Sequence, residues 1–156
     1  MNIRLMAAAD LTKVAQIHAQ AFVRQGHSQE WIECLFNGFP HHLIYVAERE
    51  NALMGFIVWS QRSGFRQEVV LELEQLAVAQ EYQRQGVARQ LITASLPLIK
   101  VQLAKREASL KHVIVNTRVD NFAQQLYRDA LGAEIAATIS DLYSADEVFM
   151  IARNIG

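Results

Sequence analysis

Apolar and polar positions alternate, cluster and recur along the chain in a way that predicts most of its elements. Ile3 to Met6 reads as a short strand. Leu11, Val14, Ile17, His18 and Ala21 then recur at helical spacing, which predicts a helix to about Phe22 with Asp10 as its N-cap. Ser28 is placed to cap a second helix, and Pro40 closes that region. The Ser28 to Trp31 quartet lacks the acidic or amide residue of a capping box. Leu43–Ala47 and Leu53–Trp59 are β-rich runs joined at Glu50-Asn51, which reads as a hairpin. A third β run covers about Val69 to Val78.

The pattern then changes period. From Gly86 onward, Val87, Leu91, Ile92, Leu96, Ile99 and Leu103 form a helical stripe, with Pro97 inside it as an expected kink or break. His112–Asn116 reads as a strand. Asn121–Leu131 reads as a helix that ends at Gly132. Glu134–Ile139 and Glu147–Ala152 predict a closing hairpin. The order is β-α-α-β-β-β-α-β-α-β-β, and strands bunched around two crossover helices suggest an α/β (α+β) mixed sheet with helices on its faces.

Composition narrows this picture. The 156 residues fit one domain, 1–156, and at 51% hydrophobic they suffice for a full core. A formal net charge of -1 argues against a general nucleic-acid binder. Lys100, Lys105, Arg106 and Lys111 cluster, but Glu107 interrupts them, and a solvated face is expected. The single cysteine, Cys34, excludes a disulfide within the chain and suits a reducing, cytoplasmic setting. Its apolar neighbours predict a buried, inert thiol. The first residues do not read as a signal peptide, and no apolar run is long enough to span a membrane. His41-His42 lacks metal-site spacing and is expected on a surface loop. His18 and His112 are expected to be structural, and no metal site is expected.

Candidate chemistry concentrates in residues 74–92. A strand ends at Val78, a polar loop follows, and Gly86 opens a helix. Such a junction directs backbone N–H groups and the positive end of the helix dipole at one point, which suits a pyrophosphate. Glycine at the turn permits close approach, and Arg84 and Arg89 add charge at the rim. The loop is neither a P-loop nor a three-glycine dinucleotide fingerprint.

Gln83-Arg84-Gln85-Gly86-Val87-Ala88 resembles the Gln/Arg-x-x-Gly-x-Gly/Ala signature of the GNAT superfamily of acyl-CoA-dependent N-acyltransferases. Ala123-Gln124-Gln125-Leu126-Tyr127, followed by Leu131-Gly132-Ala133, resembles a second segment of that family. Met54-Gly55-Phe56 resembles its glycine-containing third strand. The order of elements matches the GNAT fold across essentially the whole chain. Two departures stand out. Asp120 occupies a place where the family often has asparagine, with Asn121 one step later, and one extra residue separates Tyr127 from Gly132.

The resemblance implies an N-acetyltransferase that uses acetyl-CoA and a primary amine. It places the cofactor's pyrophosphate on the amides of Gln83, Arg84, Gln85, Gly86, Val87 and Ala88, with Arg89 and Asn121 as further contacts. The pantetheine arm would lie along Leu76-Ala77-Val78. It also implies that Tyr127 acts as acid toward the departing thiolate. Glu72 and Glu74 are the candidates for deprotonating the amine. Regular alternation would put both on one face with Leu76 and Val78, unless a β-bulge intervenes. The acceptor pocket is expected among the first two helices, the Ser60–Gln67 loop and the final hairpin, which hold Phe22, Trp31, Phe36, Phe39, Trp59, Phe65 and Tyr143. A non-catalytic acyl-CoA-binding module and an enzyme for a longer acyl-CoA stand as alternatives. A homodimer through the C-terminal strands is compatible with the apolar content.

Overall fold

A computed structural model describes all 156 residues. The elements are β1 (Asn2–Leu5), α1 (Leu11–Ala21), α2 (Ser28–Asn37), β2 (His42–Arg49), β3 (Ala52–Gln61), β4 (Glu68–Val78), α3 (Val87–Ala104), β5 (Ser109–Arg118), α4 (Ala123–Leu131), β6 (Glu134–Ile139) and β7 (Glu147–Ala152). The strands form one seven-stranded sheet in the order β1-β2-β3-β4-β5-β7-β6. Only β4 and β5 run parallel; the other neighbouring pairs are antiparallel. The sheet is therefore mixed and mostly antiparallel, as the order of elements predicts.

Alternation along the strands sorts the core into two layers. Leu43, Tyr45, Ile57, Trp59, Leu71, Leu73, Val113 and Val115 pack with Val87, Leu91, Ile92, Ile99 and Leu103 of α3 and Leu131 of α4. On the other face, Ile44, Val46, Phe56, Val58 and Ala77 pack with Val14, Ala15 and Ile17 of α1 and Ile32 and Leu35 of α2. The Glu50-Asn51 turn has positive φ at both residues (51° and 64°), the backbone hand that suits a two-residue hairpin. Gly132 ends α4 at φ 72°.

Several local expectations change. Pro97 does not split α3, which runs unbroken from Val87 to Ala104. Burial of Leu91, Ile92, Ser95, Ile99 and Leu103 holds the helix together across the missing N–H. Asp10 is the N-cap residue of α1, as expected, but its side chain makes no capping bond to the first turn. Its carboxylate takes the Ala7 N–H at 2.8 Å and pairs with Arg4 at 2.7 Å, an ion pair that Glu48 extends. Ser28 does not cap α2, because its hydroxyl is engaged with His18. Cys34 is exposed: α2 turns Ile32 and Leu35 inward and leaves Cys34 on its outer face. No helix is long and apolar enough to cross a membrane.

Tyr45 carries a buried hydroxyl with no hydrogen-bond partner, and burial pushes its phenol up to about 12. Removing a polar group that is already unpaired forfeits no bond and relieves a desolvation cost of about 1–3 kcal/mol. Tyr45→Phe is therefore expected to keep or raise the melting temperature. A fall of several degrees would show that the hydroxyl is satisfied in solution.

Candidate functional site

The only parallel pairing in the sheet is short. β4 and β5 are in register from Glu68↔Ser109 to Glu72↔Ile114, and the pairing stops there. Both strands continue, because each keeps its outer neighbour: β4 stays on β3 as far as Gly55↔Val78, and β5 stays on β7 as far as Arg118↔Glu147. The inner edges part, which leaves β4 backbone groups free of a strand partner on that side. A cleft of about 560 Å³ opens there, with Leu73–Val78 on one wall and Val115–Thr117 on the other. On the outer edge of β4, Gly55 permits the close approach of β3, since a Cβ at its position would lie 2.6 Å from the Ala77 carbonyl oxygen.

One end of the cleft is the start of α3. Gly86 is its N-cap at φ 79°, and Arg84 also has positive φ, at 63°. No side chain caps the first turn, and no acidic residue lies in it. Arg89 lies there instead, where its charge opposes the helix dipole. Unsatisfied amides, a positive dipole end and two guanidinium groups together suit an anionic ligand. Gln83, Arg84, Gly86, Val87, Ala88 and Arg89 all line the cleft; Gln85 does not.

Toward the other end a β-bulge reorganises β4. Val58 pairs with Gln75 and Trp59 with Leu73, so Glu74 is the extra residue. The bulge overturns the simple alternation expected for this strand. Leu76 and Val78 pack against the α3 side, whereas Glu74 and Glu72 engage partners on the α1–α2 side. Ser60 Oγ donates to Glu74 Oε2 at 2.5 Å, and His42 Nδ1 lies 2.8 Å from Ser60 Oγ. With the Ser60 hydrogen directed at the carboxylate, His42 must donate from Nδ1. His42 is thus the half-buried first residue of β2 rather than part of a loop, because the strand begins one residue earlier than its apolar run. Burial, followed by the neighbouring His41, holds its imidazole below the usual histidine range.

Glu72 differs from Glu74. It faces Arg62 at 3.6 Å and does not line the cleft. Burial raises its carboxyl above the usual range, against the pull of Arg62. Glu74 lines the cleft directly.

Gln75, which the strand pattern alone did not single out, ties the α1–α2 connection to the cleft wall. Trp31 Nε1 donates to Gln75 Oε1 at 2.9 Å, and Gln75 Nε2 donates to Gln25 Oε1 at 3.1 Å. His18, fully buried, lies 3.1 Å from Gln25 Oε1 and 2.7 Å from Ser28 Oγ. Burial holds His18 below the usual histidine value. The unfolded chain therefore binds more protons than the folded one between the folded value and about 6.5, and His42 adds in the same direction. Stability should be complete above that window and decline as pH falls through it. His18→Gln is expected to flatten the fall in melting temperature on acidification. An unchanged slope would contradict the assignment.

Tyr127 and Asn121 come from the β5–α4 side. Tyr127 is buried on α4 and lines the cleft, with its phenol pushed up to about 12 by burial. Asn121 lines the cleft, and its Oδ1 accepts the Ala123 N–H at 2.9 Å. Asp120 instead pairs with Arg118 in the open, so Asn121 is the residue in register with the site. Of the aromatics expected around an acceptor, Phe22 lines the cleft and Trp31 is bonded to Gln75. Trp59 is fully buried, with its indole N–H on Ser95. Phe36 and Phe39 line a separate cavity, Phe65 lies under Arg106, and Tyr143 is exposed. Asn116 and Thr117 also line the cleft and were missed; they sit where a strand pattern carries no mark of divergence.

A family model described as Acetyltransferase (GNAT) family matches residues 11–133. The fold is similar to that of Ard1 from Thermoplasma volcanium, with 23% identity, 99% of this chain and 98% of that one covered, and a TM-score of 0.76. It is also similar to an aminoglycoside 6'-N-acetyltransferase complexed with coenzyme A (15% identity, 100% and 98% covered, TM-score 0.79). The ribosomal-protein-S18-alanine N-acetyltransferase from Escherichia coli is a third such structure (20% identity, 98% and 93% covered, TM-score 0.74). A comparison with curated protein sequences found no significant match.

Proposed function

Because the chain belongs to the GNAT acetyltransferase family, we propose that it moves an acetyl group from acetyl-CoA directly to a primary amine held in the same cleft. One observation carries the reading: a single cleft joins the uncapped start of α3 to the bulged carboxylate of Glu74 by way of the parted edges of β4 and β5. The anionic half of acetyl-CoA fits the first, and an ammonium group fits the second.

In this reading the amides of Gln83, Arg84, Gly86, Val87 and Ala88 and the side chains of Arg84 and Arg89 hold the pyrophosphate, and Gln85, which does not line the cleft, is not among the contacts. Leu76, Ala77 and Val78 hold the pantetheine arm along the free edge of β4, and Asn121 flanks it. Glu74 is the residue that takes the proton from the bound ammonium. Ser60 and His42 are positioning residues, since they fix one carboxylate oxygen and leave Oε1 for the amine. The amine nitrogen then bonds to the thioester carbon. A backbone N–H near Val78 supports the oxyanion; as the carbonyl re-forms, the C–S bond breaks, the sulfur takes the bonding pair as thiolate, and the second proton lost by the nitrogen ends on that sulfur through solvent. Tyr127 donates a hydrogen bond to the departing sulfur. Burial pushes its phenol up to about 12, which keeps it protonated and available as that donor.

The solved structures similar to this one include enzymes whose names point to an aminoglycoside and to a ribosomal protein. These acceptors share little beyond an amine, and the fold alone does not choose between them. The test is release of CoA thiol from acetyl-CoA across a panel of amines, amino acids and peptides. Turnover with one acceptor class supports the reading. Binding of acetyl-CoA without turnover on any of them would favour a non-catalytic acyl-CoA-binding module, and faster turnover with longer acyl-CoAs would replace the acetyl donor.

A further inference from the structure

The face of the sheet that carries Glu74 stays open beyond the cleft. On β5, Asn116, Ile114 and His112 alternate with the core residues Val115 and Val113, so all three lie on the α1–α2 side. On β4, Glu72 and Val70 lie beside Ile114 and His112, their register partners. The strip therefore leads from Glu74 and Asn116 in the cleft, past Glu72 and Ile114, to Val70 and His112. There it enters a groove of about 830 Å³.

The groove is cationic. Arg62, Arg66 and Lys111 line it, with Glu68 as its one acidic residue. Arg62 is engaged with Glu72, but neither Arg66 nor Lys111 forms an ion pair. His112 Nδ1 accepts the Asn154 N–H at 3.0 Å, which places the ring proton of the neutral imidazole on Nε2 as a further donor. The cations stand at a distance from the reacting carboxylate. Glu74 and Val70 are four positions apart, about 13 Å at the rise of a β-strand. An amino acid or small diamine bound at Glu74 cannot reach that far. An extended polypeptide can, with its third or fourth residue. On the other side of Glu74 the same face carries Gln75, bonded to Trp31 and Gln25 of the α1–α2 region, which suits a chain that begins at its acceptor amine.

We propose that the acceptor is a polypeptide N-terminus with acidic side chains at about its third and fourth residues, seated along the β4–β5 strip with those side chains at Arg66 and Lys111. This rests on the acetyltransferase reading above. It is tested with three hexapeptides that share residues one and two and carry acidic, neutral or basic residues at positions three and four. A set of small amines is assayed in parallel. The acidic peptide is expected to exceed the basic one in kcat/KM by about tenfold at low salt, with the gap closing as salt is added. Arg66→Glu with Lys111→Glu is expected to reverse the order without changing the KM for acetyl-CoA. Both side chains are exposed, and a melting curve checks that the double variant folds. Equal rates for the three peptides, a preference for the basic one, or an order that survives the double reversal would overturn the proposal. Turnover of small amines with no peptide acetylated would overturn it and leave the acetyltransferase reading standing. No turnover with any amine would instead count against that reading, and this proposal would fall with it.

Discussion

Glu74→Gln is expected to lower kcat by about 100- to 10,000-fold with little change in acetyl-CoA binding. The amide keeps the shape of the side chain and its hydrogen bond with Ser60, but it cannot take a proton from an ammonium group. The residual rate should depend on the small fraction of amine that is already neutral. That fraction rises tenfold per pH unit below the pKa of the amine, near 8 for an α-amine and about 10.4 for a lysine. The variant should therefore regain activity as pH rises and level off at the acceptor's own pKa. Glu72→Gln is the informative companion. Glu72 is turned to Arg62 and lies outside the cleft, so its replacement should cost far less. A larger loss at Glu72 than at Glu74 would reverse the assignment of the base. Steady-state kinetics of both variants over pH decide between them.

Tyr127→Phe is the second large effect. Its phenol lines the cleft from α4, and burial keeps it protonated across the working pH range. Loss of a donor that acts mainly as C–S cleavage proceeds should lower kcat by about 100-fold, by analogy with removal of an oxyanion donor. Binding of acetyl-CoA should be nearly unchanged, because the ring is retained. Pre-steady-state and steady-state rates on the same acceptor measure this directly. Unchanged turnover would remove Tyr127 from the chemistry and leave it as a packing residue of the α3–α4 layer.

Most of the architecture was legible because each element carries its own period. The α3 stripe from Val87 to Leu103, the turn at Glu50-Asn51 and the stop at Gly132 are local signals, and local packing respects them. The start of α3 was legible for the same reason: a polar loop, a glycine and a helical stripe follow one another in sequence. What escaped depends on partners far along the chain. Nothing in Glu-Leu-Glu-Gln-Leu marks Glu74 as the residue that bulges, because the bulge is a mismatch between β4 and β3. His42 lay just outside an apolar run and so read as loop, although its place opposite Ser60 makes it part of the Glu74 cluster. Trp59 read as a pocket aromatic because composition does not say which face of a strand is covered by a helix. Cys34 read as buried for a similar reason, since apolar neighbours in sequence lie about 100° apart around a helix.

The most direct measurement is a thermal melt titrated with acetyl-CoA, run on the native protein and on Gly86→Val. The substitution places a β-branched side chain at φ 79° at the head of α3. Saturating acetyl-CoA is expected to raise the native melting temperature, with a stabilisation of about 2.7 kcal/mol once the ligand reaches a hundred times its Kd. The shift is expected to be lost or much reduced in a Gly86→Val protein that still melts cooperatively. A native protein that shows no shift at any acetyl-CoA concentration, or a variant that shifts as fully as the native protein, would contradict the placement of the cofactor at the start of α3.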